Sequence, residues 1–253
     1  MTLGVFGYGS FGALAVRELA PYFDVLVQST KDPSELNLPE HARVESFKAV
    51  AECDVVIPAI PLAGYRDWLR NVGPYLHPGT LVVDVCSVKV KPVEMLEAGL
   101  PKHVQILATH PIFGPQSAAN GLSGQPIVVH PVRINGTDSY HDIKNFLADD
   151  LGLNVIEMDP ETHDKKMAII HALTFFIGRG LLSMDIEASD LDTGTFKNVL
   201  GLSEIRNLAE LETHHTKELF ETIESGNPYA AAIRKQFIAK LKALDSESKK
   251  IKF

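Results

Sequence analysis

Cysteine is scarce in this sequence. There are two among 253 residues, Cys53 and Cys86, both inside apolar runs. Neither stands at a metal-ligand spacing, and two thiols cannot build a disulfide framework, so buried reduced thiols in a reducing compartment are expected. Basic residues are also in deficit, 24 Lys and Arg against 32 Asp and Glu, for a formal net charge of −8. A nucleic-acid binder needs a basic face to offset phosphate charge, so no such partner is expected. No apolar run reaches the length of a bilayer span, and no signal-peptide pattern precedes the first apolar run at Leu3. A protein of the cytoplasm, away from membranes, is expected. Internal repeats and low-complexity stretches are missing as well. What remains is an ordinary globular composition, 45% apolar and 22% charged, long enough for one large domain and a smaller one.

The first apolar run leads directly into Gly7-Tyr8-Gly9-Ser10-Phe11-Gly12, followed by a helical pattern over 13–20 and a second strand over 23–28. Strand, GxGxxG, helix and strand in this order form the dinucleotide fingerprint. Gly7 makes the tight turn, Gly9 lets a pyrophosphate approach the backbone, and Gly12 lets helix and strand pack closely. The helix start offers free N–H groups and a positive dipole end.

The end of the second strand bears on which dinucleotide is bound. An NAD site usually carries an acid there for the ribose hydroxyls. This chain reads Gln28-Ser29-Thr30-Lys31, with no acid before Asp32. Two hydroxyls and a lysine suit a 2′-phosphate, so NADP is expected, with NAD as the alternative if these are solvated turn residues.

Further strands are expected over 43–47, 54–60, 81–85, 105–108, 127–130 and 154–158, with helices over 63–72, 93–98 and 143–151. Ile60 and Pro61 form a rigid lip for the nicotinamide end. Alternating strands and helices indicate an α/β, doubly wound Rossmann-type parallel sheet. Beyond residue 160 only helical patterns remain, over 161–185, 195–212, 215–225 and 228–244. The expected domains are therefore 1–160, binding dinucleotide, and 161–253, all helical.

Two candidates for chemistry follow strands. His110 sits in Leu107–Ser117, LATHPIFGPQS, where prolines on both sides of a glycine stiffen the frame. Ser87 follows the strand over 81–85. Ligands of such sheets lie beyond the carboxyl ends of the strands, so both should reach one cleft. A neutral imidazole there can accept the proton of an alcohol as hydride leaves its carbon. Ser87 could bond the same hydroxyl, orient the ring or merely cap the strand.

The GxGxxG start, VDVCSVK, THPIFGP and DKKMAIIHAL together resemble the prephenate/arogenate dehydrogenases of tyrosine biosynthesis, over about two thirds of the chain. The resemblance implies oxidation of a cyclohexadienol by NAD(P) with loss of the ring carboxylate. It makes His110 the catalytic histidine and Ser87 its partner, and it implies a homodimer through the helical domain. It also implies a cation in that domain for the substrate carboxylates. Arg206 lies nearest the family's position, with Arg234 and Lys197 as alternatives. His171, mid-helix, is either a substrate contact or a core histidine, and His214 and His215 read as surface residues. In plant relatives an acid shortly after HPxFGP accompanies arogenate use. Here Gln116 and Asn120 stand in that stretch, both neutral, so prephenate is favoured.

Two other readings remain. A β-hydroxyacid or imine reductase would use a lysine after the boundary, Lys165 or Lys166, but leaves HPIFGP unexplained. A non-catalytic nucleotide sensor leaves Ser87 and His110 unexplained.

Overall fold

A computed structural model describes residues 1–184 and 217–248. The chain divides into two compact units, Met1–Glu161 and Thr162–Phe253.

The first unit is built on one eight-stranded sheet: β1 Thr2–Phe6, β2 Asp24–Gln28, β3 Ala42–Val44, β4 Val55–Pro58, β5 Leu81–Asp84, β6 Gln105–Pro111, β7 Pro126–Arg133 and β8 Asn154–Glu157. Their order is β3-β2-β1-β4-β5-β6-β7-β8. All neighbours run parallel except β6 and β7, which pair antiparallel, so the last two strands run against the rest. The doubly wound Rossmann-type class expected from the sequence is the one found, with that antiparallel step added.

Alternation along the strands divides the core. Leu3, Val5, Val25, Val27 and Ile57 pack under α1 (Ser10–Leu19) through Val16 and the C-cap residue Ala20. On the other face Phe6, Val56, Val82 and Ile106 meet α3 (Tyr65–Val72) and α4 (Val90–Gly99). Burying each such side chain contributes about 1.5–3 kcal/mol. Phe6 also meets the Trp68 ring edge-on with centroids 5.7 Å apart.

The range 43–47, read as one strand, is two elements. β3 ends at Val44, and α2 (Phe47–Ala51) starts behind Ser46, whose hydroxyl accepts the Ala49 N–H at 3.3 Å. Helix α5 (Thr137–Asn145) runs on through a π turn to Asp150.

The second unit is helical throughout its described residues. α6 (Pro160–Met167) continues through a π turn, Ala168–Leu173, into α7 (Thr174–Leu182), as the single long pattern suggested. α8 (Lys217–Gly226) and α9 (Ala230–Ser248) follow. Ala172, Ile223 and Ala230 form its core with Phe175 and Leu219. The Asn227 amide donates to the Asp164 carbonyl at 2.8 Å, and its oxygen accepts the Tyr229 N–H at 2.9 Å just ahead of α9. No helix among the described residues is long and apolar enough to cross a membrane.

Candidate active site

Sheet register brings most of the candidates to one edge. Gln28 pairs with Phe6, Phe6 with Pro58, and Asp84 with Ala108. Val56 pairs with Val82, which sets Pro58 level with Asp84. One row therefore crosses five strands. Just beyond it lie Ser29 to Lys31, the Gly7–Gly12 turn, Ile60 and Pro61, Ser87, and His110.

The glycine-rich turn is built for close approach. Gly7 has φ +99°, where L side chains are strained, and its N–H donates to the Gln28 carbonyl at 2.8 Å. A Cβ on Gly12 would come within 2.2 Å of the Gly7 oxygen, whereas a Cβ on Gly9 would meet nothing within 4 Å. α1 has no side-chain cap and no acid in its first turn, so no capping side chain takes up its leading N–H groups. This cradle fits a dinucleotide pyrophosphate. Tyr8 donates from its hydroxyl to the Asn37 carbonyl at 2.6 Å, and Phe11 packs with Phe113 and Leu14 in a third core cluster. Phe113 belongs to the HPIFGP corner, so the corner is seated on the same helix that opens at the cradle.

After β2, the Ser29 hydroxyl accepts the Lys31 N–H at 3.1 Å, while Thr30 and Lys31 are exposed. The first acid, Asp32, is turned to Ser34 and accepts its N–H at 2.8 Å and its hydroxyl at 2.6 Å.

His110 is 5% exposed and shares strand parity with Ile106, so it lies on the α3/α4 face of the sheet end. Ser87 is half-buried in the turn between β5 and α4. Beneath them the sequence reading missed a buried polar cluster. Lys89 donates to the Asp84 carboxylate and to the Thr109 carbonyl. Asp84 also accepts the Tyr65 hydroxyl at 2.8 Å and the Cys86 N–H at 3.0 Å. An acid closing an apolar strand and a lysine opening a helix were the available signals.

Gln116 and Asn120 are exposed on the turn after the HPIFGP corner, which Gln125 braces by donating to the Ser117 carbonyl at 2.8 Å. A cavity of about 810 Å³ runs along the α1 face of the sheet, lined by Leu3, Ile57, Val83, Leu107 and Ile143 among others. None of Gly9, Ser87 and His110 lines it, so it is not the chemical site.

In the second unit His171 lies in the π turn, edge-on to Phe175 with centroids 4.9 Å apart. Arg234 is engaged with the Glu224 carboxylate and carbonyl. Arg206, Lys197, His214 and His215 lie outside the described residues. Lys165 and Lys166 are exposed, and Lys165 stands 5.3 Å over the Tyr229 ring. No group of three or more His, Cys, Asp or Glu is placed to hold a metal among the described residues.

The model of the nucleotide-binding domain of prephenate dehydrogenase matches residues 27–156, just over half of the chain. The chain belongs to the prephenate dehydrogenase family. The chloroplastic arogenate dehydrogenase 2 of Arabidopsis thaliana is 31% identical over 239 residues, 91% of this chain and 65% of the relative. The probable arogenate/prephenate dehydrogenase of Methanocaldococcus jannaschii is 28% identical over 177 residues, 66% of this chain and 39% of the relative. The chain thus spans less than two thirds of the length of either relative. The crystal structure of prephenate dehydrogenase from A. aeolicus, in complex with hydroxyphenyl propionate and NAD+, has a TM-score of 0.70 at 19% identity. That match covers 97% of this chain and 91% of the other, and the fold is shared.

Proposed function

We propose that this chain is an NADP-dependent dehydrogenase that oxidises prephenate, with loss of its ring carboxylate, to 4-hydroxyphenylpyruvate. The observation that carries the reading is the row of strand ends. It sets a buried His110 and a half-buried Ser87 beyond the same sheet edge as a glycine turn whose only open position is Gly9. Residues 1–160 hold the cofactor in this reading, and residues 161–253 serve substrate binding and dimerisation.

Gly7 to Gly12 and the α1 N–H groups hold the pyrophosphate, with Tyr8, Ser10 and Phe11 shaping the turn. Ser29, Thr30 and Lys31 take the 2′-phosphate. Asp32 stays an anion, but its carboxylate is turned to Ser34, and Lys31 supplies the cation that offsets it. Ile60 and Pro61 border the nicotinamide end, with Ser87 opposite. When bound, the nicotinamide supplies the hydride acceptor. His110 accepts the proton of the substrate's ring hydroxyl on a neutral imidazole nitrogen, and Ser87 orients that hydroxyl. Decarboxylation aromatises the ring, so no further electrophile is required of the chain.

Gln116 and Asn120 offer no carboxylate to an ammonium side chain, which favours prephenate. Arogenate is the second reading, favoured by the Arabidopsis relative. The guanidinium assigned to the substrate carboxylates is Arg206, with His171 as a further contact. A homodimer through the helical unit belongs to the same reading. Its support is the apolar surface on that unit: Ile169, Ile170, Met184, Ile238, Leu241 and Leu244 are all exposed. Two free cysteines suit the reducing cytoplasm.

The test is formation of reduced cofactor with prephenate and with arogenate, each offered with NAD and NADP. Fastest turnover with prephenate and NADP is expected. Silence in all four combinations, with cofactor binding measured separately, would overturn the reading.

A further inference from the structure

Stability alone gives no reason for a lysine at position 89. It stands at the start of α4, where the positive end of the helix dipole disfavours a cation. It is 1% exposed, and an ammonium taken out of water loses several kcal/mol of hydration that pairing only partly restores. Apolar residues of similar volume would serve the fold as well or better. A residue that breaks local rules in this way is expected at a functional site.

What the lysine touches explains it. Its Nζ donates to the Asp84 carboxylate and to the carbonyl of Thr109, the residue joined to His110. Asp84 is the hub, with no exposure at all. It accepts the N–H of Cys86, the residue joined to Ser87, at 3.0 Å, and its own carbonyl accepts the Thr109 hydroxyl at 2.7 Å. The Tyr65 hydroxyl lies 2.8 Å from Asp84 and 3.4 Å from the Pro58 carbonyl, so the end of β4 is tied in as well. One buried network thus fixes the three strand ends that carry Ile60, Ser87 and His110.

We propose that the Asp84–Lys89 pair is a positioning clamp, which sets His110 and Ser87 against each other without itself touching substrate. The kinetic half of its test rests on the dehydrogenase reading; the spectroscopic half does not. Lys89→Met leaves the Asp84 charge buried and uncompensated, so Tm falls. Adding Asp84→Asn removes that charge and restores most of the Tm. In the double variant kcat stays down by about 10²-fold, the loss expected of a catalytic group displaced by about an ångström, with KM for the cofactor unchanged. The His110 ring resonance, assigned by its absence from His110→Asn, moves by more than its linewidth in the same variant, while that of His163 in the other unit stays put. A merely structural pair predicts kcat recovering along with Tm. Recovered kcat, or an unmoved His110 resonance, would overturn the clamp. A parent protein with no turnover on any substrate defeats the dehydrogenase reading, and the resonance then still decides the clamp.

Discussion

Gly12 faces the Gly7 carbonyl so closely that a Cβ would lie 2.2 Å from its oxygen, while Gly7, at φ +99°, would place its own Cβ 2.4 Å from the Ala59 oxygen. Both obstacles are backbone and cannot rotate away. The turn, the start of α1 and the end of β4 are therefore locked to one another. Gly12→Ala is expected to push α1 off the turn, lowering cofactor affinity at least tenfold and stability by about 1–3 kcal/mol, the cost of forced backbone strain. Calorimetric titration with NADP and a urea melt check both. Gly9→Ala, with open space around it, should leave stability unchanged and weaken only the cofactor; equal destabilisation by the two would show that the turn is not organised in this way.

His110→Asn retains a polar side chain of similar reach but has no basic nitrogen. If His110 is the proton acceptor, kcat falls by roughly 10²–10⁴-fold, the contribution typical of a positioned general base, while the dissociation constant for NADP holds. Parental turnover would remove the residue from the mechanism.

Lys31 is exposed and Asp32 is turned to Ser34, so the polar end of β2 presents one cation and two hydroxyls ahead of its first carboxylate. The Ser34 side-chain and backbone hydrogen bonds also keep the Asp32 carboxyl below its usual range. Lys31→Ala should weaken NADP by about tenfold, near the lower end for a hydrogen bond to a charged group, and leave NAD unchanged. Fluorescence titration with each reduced cofactor measures it, and an equal loss for both would undo the assignment to NADP.

The central strands lie in apolar runs that can be read directly, because a strand buried on both faces is a short continuous stretch of Val, Ile and Leu, whereas β3 is only Ala42, an exposed Arg43 and Val44. The glycine turn is equally legible, since its backbone demands are local to six residues. Helix α2 escaped because five residues, Phe47–Ala51, make little more than one turn, too short for an apolar stripe at helical spacing to show. The reversal at β7 escaped too, although the link from Ile112 to Gln125 holds no helix of the kind a parallel crossover needs. The clamp was out of reach for a different reason. Asp84, Lys89, Tyr65 and Thr109 meet only once sheet register is known, and period alone does not supply register.

Cys86 tests the polarity of the ground beside the clamp. Burial, with the Asp84 carboxylate adding to it, pushes its thiol up to about 12, and burial also raises Cys53. At pH 8 the thiolate fraction of Cys86 is then ~10⁻⁴, so iodoacetamide should label it roughly 10³-fold more slowly than free cysteine. Mass spectrometry of a labelling time course resolves the two thiols. Labelling of Cys86 at the free-thiol rate would mean that the strand end is open to water.

The helical unit offers a charge test of its own. Glu224 is 8% exposed, and burial pushes its carboxyl up against the pull of Arg234, its ion-pair partner. An acid whose value is higher in the folded state binds more protons folded than unfolded, so its contribution to stability declines as pH rises from the ordinary carboxylate value through the folded one. Arg234→Met removes the pull and leaves a buried charge, at a cost of about 3 kcal/mol at neutral pH. That loss should shrink toward pH 4 as Glu224 takes up its proton, and Glu224→Gln on the same background should recover most of it. Urea midpoints across this range decide the point. A loss of constant size would assign the role of Arg234 to its cation–π contact with the Phe176 ring, 5.9 Å away, rather than to the Glu224 ion pair.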